Sequence, residues 1–180
     1  MLKQQEDKVN NSLFIALSEN NANSIEDCLN RLKIARSQLI SLIEDVPIHA
    51  FTWQPILPMQ NIGTQLLHIA YTEAFWLGEP LPTDAQQYLW EDDKPKPILS
   101  TPTKSLRWHL DLLATIRYSV IEKIKRLSSD GYISLVLDNR TEKRSLNGVL
   151  CCLTEHEAHH RGQIILLKNW YQNTYTPIYA

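Results

Sequence analysis

The stretch Leu146–Tyr171, LNGVLCCLTEHEAHHRGQIILLKNWY, has apolar residues at the three- and four-residue spacing of an amphipathic helix. Because an α-helix turns through about 100° per residue, one side of this segment collects a stripe of mostly apolar side chains. The stripe consists of Val149, Cys152, Leu153, His156, His160, Gln163, Leu167 and Trp170. Two histidines therefore interrupt a face that is predicted to pack into a core.

Three earlier stretches have the same helical periodicity and clear start and stop signals. The first begins with Ser24 as N-cap, followed three residues later by an acid, and ends before Pro47. The second runs from about residue 61 to 77 and stops at Gly78. The third is predicted to start with Thr101 as cap and Pro102 at its first position, and to continue to about residue 128. Together with a last helix from 145 to about 171, they give four helices.

The connections between these helices indicate an all-α fold. The segment from Pro80 to Pro102 carries five prolines and reads as a long crossover between helices two and three. Between Gly131 and Ser145 the alternation of apolar and polar residues predicts a small hairpin or extended loop before helix four. We therefore predict a four-helix bundle in up-down-down-up order. One domain over residues 1–180 is expected, with 1–23 as an extra helix or a loose arm.

Composition excludes several classes of partner. The chain has 180 residues and a formal net charge of −2, with both signs scattered, which argues against nucleic acid and anionic membranes as partners. No apolar run approaches the roughly 20 residues of a membrane span, and the first residues lack the apolar core of a secretory signal. Three cysteines, two of them adjacent, imply no disulfide framework. A cytoplasmic location is the resulting expectation.

The pair His156 and His160 is the strongest chemical signal in the chain. Side chains four apart on a helix lie about 6 Å from each other, so both imidazoles can reach one divalent ion. The alternative is a pair of core histidines that are satisfied by hydrogen bonds. The pair also lacks the glutamate position of the HExxH proteases, so spacing alone leaves both readings open.

A stable metal site needs at least one further ligand, and the sequence offers His49, His68, His109 and Cys152. Cys152 and His160 lie about 12 Å apart along one helix, so one ion cannot bind both together with His156. The side of helix two that carries His68 is less apolar than the opposite side; besides His68 it holds Thr64, Gln65, Tyr71, Thr72 and Phe75. Such a face is either solvent surface or the lining of a wet pocket.

The segments QLLHIAYTEAFWLG and LNGVLCCLTEHEAHHRGQIILL, in helices two and four, together resemble the DinB-like (YfiT-like) metal-binding four-helix bundles. The resemblance covers all four helices in order and includes the proline-rich crossover. It implies that the metal ligands are His68, His156 and His160, with His159 outside the triad. It also implies a homodimer.

The same resemblance implies chemistry, although that chemistry varies within the family. Some members are similar to thiol transferases, which join a low-molecular-weight thiol to an electrophile in detoxification or stress. The expected cofactor is a divalent ion such as zinc, nickel or iron, and Tyr71 and Gln163 are candidate substrate contacts beside the ligands. A non-catalytic metal- or ligand-binding bundle is the main alternative. A helical dimerisation module with a satisfied histidine cluster is the third.

Three smaller expectations concern helix four and its neighbours. Glu155 and Glu157 are expected to be solvated or paired. Arg161 is expected to be solvated at the surface by default, with pairing to an acid such as Glu73 as the alternative. Gly162, inside the helix, lowers helix stability and indicates either the close approach of another backbone or a glycine that the helix simply tolerates.

Overall fold

Four long helices make up most of the chain that the computed structural model describes, which is residues 24–56, 59–88, 90–91, 94–95, 104–129, 136–138 and 143–175. The helices are α1 (Ile25–Ile43), α2 (Ile48–Phe51), α3 (Ile62–Leu77), α4 (Thr83–Gln86), α5 (Leu106–Ser129) and α6 (Leu146–Tyr175). The short strands are β1 (Trp90–Glu91), β2 (Lys94–Pro95), β3 (Val136–Asp138) and β4 (Lys143–Ser145). The four-helix architecture is confirmed, while the predicted arm 1–23 lies outside the described residues.

Local capping chemistry sets the start of α1 and both ends of α3 where the sequence predicts them. The Ser24 hydroxyl accepts a hydrogen bond from the Asp27 amide at 3.1 Å, and the Asp27 carboxylate accepts one from the Ser24 amide at 3.1 Å, which is a capping box. The Asn61 side chain accepts from the Thr64 amide at 3.0 Å at the start of α3. Gly78 ends α3 with φ of 63°, the left-handed conformation that glycine adopts readily.

The start of α5 corrects one prediction. The helix begins at Leu106, and Ser105 before it is not helical, so the proposed start at Pro102 is wrong; Thr101 and Pro102 lie outside the described residues. The Ser105 hydroxyl accepts a hydrogen bond from the Trp108 amide at 3.2 Å. Ser105, four residues after the predicted cap Thr101, thus satisfies one of the free amides in the first turn of the helix.

The connections contain two small antiparallel hairpins. Strands β3 and β4 pair Val136 with Ser145 and Asp138 with Lys143, which confirms the hairpin predicted before the last helix. Strands β1 and β2 pair Trp90 with Pro95 within the crossover, where no strand was predicted.

Contacts along α3 and α5 show that these two helices are parallel. Glu73 of α3 meets Arg117 of α5, and Glu79, just beyond α3, meets Lys123 farther along α5. Residue numbers therefore rise together on both helices. The long crossover is what allows consecutive long helices to run the same way.

The remaining pairs complete the up-down-down-up order. Helices α1 and α6 are parallel, while α3 and α6 are antiparallel, as these contacts show: Arg36–Glu157, Leu42–Lys168, His68–His156 and Gln65–His160. Helix α6 thus packs against two neighbours, α1 and α3. This arrangement brings the middle of α3 against the middle of α6.

Aliphatic side chains from all four long helices form the core. The fully buried ones include Leu32, Leu39 and Ile43 of α1, Leu66 and Leu67 of α3, Leu113, Ile116 and Ile124 of α5, and Val149 and Ile164 of α6. Leu113, Ile116 and Ile124 of this set show that α5 buries one face, as its helical periodicity predicts. In the described part of the chain, each helix is too short or too polar to span a bilayer.

The buried face of α6 is wider than the predicted stripe. Leu153, His160 and Leu167 are buried as expected, but Trp170 is 39% exposed. Glu157, which lies outside the stripe, is only 2% exposed. The reason is that α6 contacts two helices, so side chains on two adjoining faces leave solvent.

Each long helix contributes one charged residue to a buried ionic quartet, which consists of Arg36, Glu73, Arg117 and Glu157. Arg36 donates to Glu157 at 2.6 Å and to Glu73 at 2.9 Å, and Arg117 donates to Glu157 at 2.8 Å and also to Glu73. The two carboxylate side chains are 2% exposed and the two guanidinium side chains 9% and 11%. The two positive and two negative charges cancel, so each buried charge has partners of opposite sign.

Of the two alternatives for Arg161, the pairing with Glu73 is wrong. Glu73 is shared by Arg36 and Arg117, while Arg161 donates a hydrogen bond to Gln38 on the surface. Glu157 is paired, in agreement with one of the two states expected for it. Because Glu157 follows His156 directly, its ion pairs also fix how α6 is rotated beside α3.

Candidate metal centre

The structure brings His68 of α3 together with His156 and His160 of α6. The Nε2 atoms of His156 and His68 are 3.2 Å apart, and those of His160 and His156 are 3.1 Å apart. One nitrogen from each ring lies within 4.8 Å of the other two. Two imidazoles one turn apart on α6 and a third on the facing helix thus point their Nε2 atoms at one place.

The other candidate ligands lie elsewhere in the described part of the chain. His49 packs against Tyr171 with 5.6 Å between ring centroids, and the ring of His109 lies 4.9 Å from that of Phe51. Cys152 is half-buried on α6 and does not join the group of side chains that could share an ion. The set of candidate ligands in the described residues is therefore the triad, meaning His68, His156 and His160.

The adjacent histidines of α6, His159 and His160, differ in their exposure to solvent. His160 is 7% exposed, whereas His159 is exposed and its Nε2 lies 2.9 Å from Nε2 of Gln163. His68 and His156 are half-buried, so solvent reaches part of the triad. The pair His159 and His160 thus offers matched positions inside and outside the triad.

Burial and mutual repulsion keep the triad uncharged at neutral pH. The pKa of His160 is lowered from 6.5 to about 3, mainly by burial and then by its neighbour His156. The pKa of His156 is lowered to about 4, mainly by burial and then by His68 and His159. Burial also lowers the pKa of His68. Neutral imidazoles keep the lone pairs that metal binding requires.

A buried amide contacts the triad from outside. The Gln65 side chain, one turn before His68 on α3, has its Oε1 3.2 Å from Nδ1 of His160. Gln65 is 2% exposed. Sequence analysis placed Gln65 on the same side of the helix as His68 but gave it no role, because only the fold shows that His160 lies opposite.

The triad fits a divalent metal ion in both geometry and chemistry. Two nitrogens bound at about 2.0–2.1 Å in a tetrahedral site are about 3.3 Å from each other. The observed separations of 3.1 and 3.2 Å are close to that value. Three neutral imidazole nitrogens suit zinc, nickel, iron and copper, and a set of three leaves a fourth position for water or substrate.

A family comparison agrees with this architecture. The model of the DinB superfamily matches residues 31–164, a range that contains the triad and the ionic quartet. The chain belongs to the DinB superfamily. A crystal structure of a DinB-like protein from Bacillus cereus ATCC 10987 is similar to this DinB superfamily protein, with a TM-score of 0.61 and 17% sequence identity. The alignment covers 86% of this chain and 97% of that one, which shows the shared fold. No curated protein matches the sequence.

The two predicted substrate contacts differ in their surroundings. Tyr71, one turn after His68, is half-buried and borders a cavity of about 250 Å³ that Phe75 and Gln86 also line. Gln163 places its amide beside the exposed ring of His159. Of these two residues, Tyr71 is the one that lines this cavity.

Gly162 does not mark a close approach of another backbone. A Cβ placed on this exposed glycine would have no neighbouring atom within 4 Å. Of the two alternatives for Gly162, close helix packing is wrong, and a tolerated glycine agrees with the open space around it. The face of α6 that carries Gly162 points to solvent.

Proposed function

We propose that this DinB superfamily protein binds a divalent metal ion through His68, His156 and His160 and activates a low-molecular-weight thiol for transfer to an electrophile. Detoxification or stress protection is the setting in which such a reaction serves a cell. The observation that carries the proposal is the convergence of three imidazole nitrogens at separations near those of a tetrahedral metal site.

The number of protein ligands supports a catalytic metal site over a structural one. Structural zinc sites are usually closed by four protein ligands, whereas three protein ligands leave a position for substrate. When bound here, a divalent ion supplies a Lewis acid that favours the thiolate form of a small thiol. Zinc, nickel and iron are the proposed ions.

The net reaction is a substitution at the electrophile. The thiol sulfur forms a bond to the electrophilic carbon, and the leaving group departs with the electron pair of the bond that breaks. The thiol proton is released to solvent. The chain's contribution is to hold the donors neutral through burial and to admit substrate from the half-buried side of His68 and His156.

The cavity beside Tyr71 supports a site for the electrophile. Tyr71 and Phe75 lie along α3 with 5.7 Å between their ring centroids, and Ala74 and Leu81 add apolar surface. Tyr71, which lines the cavity, lies about one helical turn, or roughly 5 Å along the helix axis, from His68. We propose that the apolar part of the electrophile occupies this space.

A conjugation assay with matched histidine variants tests the proposal. Metal-loaded protein is incubated with a panel of small thiols and electrophiles, and product is measured for the wild type, His160→Ala and His159→Ala. Turnover in the wild type and His159→Ala, with loss in His160→Ala, is the expected result. Metal binding with no turnover for any thiol would contradict the thiol reaction and favour a non-catalytic metal-binding bundle.

We also propose a cytoplasmic location and a homodimer. The described cysteines, Cys28, Cys151 and Cys152, are all free, which suits a reducing cytoplasm. Ile165 and Leu166 are 42% and 54% exposed on α6, and such apolar surface supports a homodimer.

A further inference from the structure

The contact between Gln65 and His160 determines which nitrogen of His160 carries the proton. A neutral imidazole has one N–H and one lone pair, and the hydrogen bond at one nitrogen fixes the state of the other. The Gln65 Oε1 atom lies 3.2 Å from Nδ1 of His160, and both residues are buried. If the atom facing Nδ1 is an oxygen, Nδ1 must be the donor.

A second contact fixes the orientation of the Gln65 amide. Its Nε2 donates to the backbone carbonyl of Gln60 at 3.4 Å. Turning the amide over would place Oε1 against that carbonyl oxygen and Nε2 against His160. The orientation with Oε1 toward His160 is therefore the one that satisfies both ends of the amide.

We propose that Gln65 is a positioning residue that holds His160 as the Nδ1–H tautomer, so that its Nε2 lone pair faces the metal. This inference rests on the metal centre of the proposed function. Ligand histidines commonly donate their second N–H to an acceptor of this kind, which fixes the ring and raises its basicity. Here the acceptor comes from α3, the same helix that supplies His68.

The assignment also dictates the proton on His156 in the metal-free protein. With a lone pair on Nε2 of His160, the 3.1 Å contact is a hydrogen bond only if Nε2 of His156 carries the proton. Metal binding by the triad then requires this proton to leave Nε2 of His156, while His160 keeps its tautomer. The two neighbouring ligands on α6 thus respond differently to the ion.

The three ligand histidines differ in whether a hydrogen bond holds the second ring nitrogen. Nδ1 of His68 is buried and has no hydrogen-bond partner in the described part of the structure. His160 is tied to Gln65, and its ring orientation is set before the ion arrives. Gln65 therefore contributes to metal affinity through His160 without touching the ion.

Zinc affinity of two Gln65 variants provides the test. Gln65→Leu removes the acceptor and keeps the size of the side chain, whereas Gln65→Glu keeps an acceptor oxygen. In competition with a chromophoric chelator, we expect Gln65→Leu to bind zinc about 10- to 100-fold more weakly. Gln65→Glu should remain within about tenfold of the wild type. Gln38→Leu, which removes a glutamine from α1 that contacts Arg161, is the control and should match the wild type.

Nitrogen NMR of the imidazoles gives a readout that needs no activity. The metal-free wild type should show His160 protonated at Nδ1, and this signal should change in Gln65→Leu and return in Gln65→Glu. Adding zinc to the wild type should move the proton of His156 and leave that of His160.

The outcomes distinguish the inference from the proposed function. Wild-type zinc affinity in Gln65→Leu, or an Nε2–H tautomer of His160 in the metal-free wild type, would overturn the role of Gln65 alone. A wild type that binds no zinc, nickel or iron would overturn the metal centre and the role of Gln65 with it.

Discussion

Replacing Glu157 by glutamine should strongly destabilise the protein, although the two side chains have nearly the same shape. Glu157 accepts hydrogen bonds from Arg36 at 2.6 Å and from Arg117 at 2.8 Å, and it is 2% exposed. Glutamine has the same shape but no charge, and its amide nitrogen cannot accept from a guanidinium. The ionic quartet would then carry a net charge of +1 that solvent cannot compensate.

The size of the effect follows from the burial of the quartet. Removing one partner of a buried ion pair costs about 3–5 kcal/mol because the remaining charge is left unpaired. That is a large part of the roughly 5–15 kcal/mol by which a typical domain is stable. With an m-value of about 2 kcal/mol/M in urea, the unfolding midpoint should fall by about 2 M.

Urea unfolding followed by circular dichroism measures this loss, with Glu155→Gln as the matched control. Glu155 is exposed two positions earlier on the same helix, and its replacement should change stability by less than about 0.5 kcal/mol. The double variant Arg36→Gln with Glu157→Gln restores neutrality and leaves Arg117 with Glu73. Its cost should be smaller than the sum of the single costs by about 1–3 kcal/mol. A Glu157→Gln protein as stable as Glu155→Gln, or strictly additive costs, would refute the role given to the quartet.

Three further predictions concern pH and two glycines. The metal-free protein should lose stability as pH falls below 6.5, because His156 and His160 have pKa values of about 4 and about 3 when folded and take up protons when unfolded. The urea midpoint should not fall in this way above pH 6.5, and below pH 6.5 it should fall less in His160→Ala than in the wild type. A midpoint that rises on acidification would contradict the burial of neutral imidazole rings. Gly162→Ala should stabilise by about 0.5–1 kcal/mol, since the site is helical, exposed and free of neighbours. Gly78→Ala should destabilise by about 1 kcal/mol at its φ of 63°; thermal melts in which the two glycine variants shift in the same direction would contradict both assignments.

Local signals predicted the helices because the physics that ends a helix is local. Ser24, Asn61 and Gly78 act within a turn of the chain, and the structure places the start of α1 and both ends of α3 within about a residue of their predicted bounds. The end of α1 lies at Ile43, three residues before the predicted end at Val46. The start of α5 was misplaced because Thr101–Pro102 and Ser105 are both acceptable start signals, and the sequence alone does not rank them.

The metal-site residues likewise differ in whether local sequence or the packing of helices identifies them. His156 and His160 follow from their spacing on one helix, whereas His68 depends on how α3 lies against α6. Spacing and periodicity left His68 beside two alternatives, His49 and His109, and the family resemblance selected His68. Gln65 could not be assigned a partner for the same reason, since its contact with His160 joins residues 95 positions apart.

The four charged residues of the ionic quartet share a sequence pattern that the sequence analysis did not use. Its members occupy positions three or four residues from buried apolar side chains, as Arg36 does between Leu32 and Leu39. A charge at such a position is either a surface residue at the edge of a stripe or a buried residue with a partner. Four such charges, two of each sign and one on each helix, together predict a buried network.

The metal content of the protein tests the central claim most directly. Protein purified without a metal-affinity tag and supplied with zinc, nickel or iron is analysed for bound metal in the wild type, His159→Ala and His160→Ala. We predict about one divalent ion per chain in the wild type and His159→Ala, and none retained in His160→Ala after dialysis. A wild type without bound metal, or full occupancy in His160→Ala, would contradict a metal centre built from His68, His156 and His160.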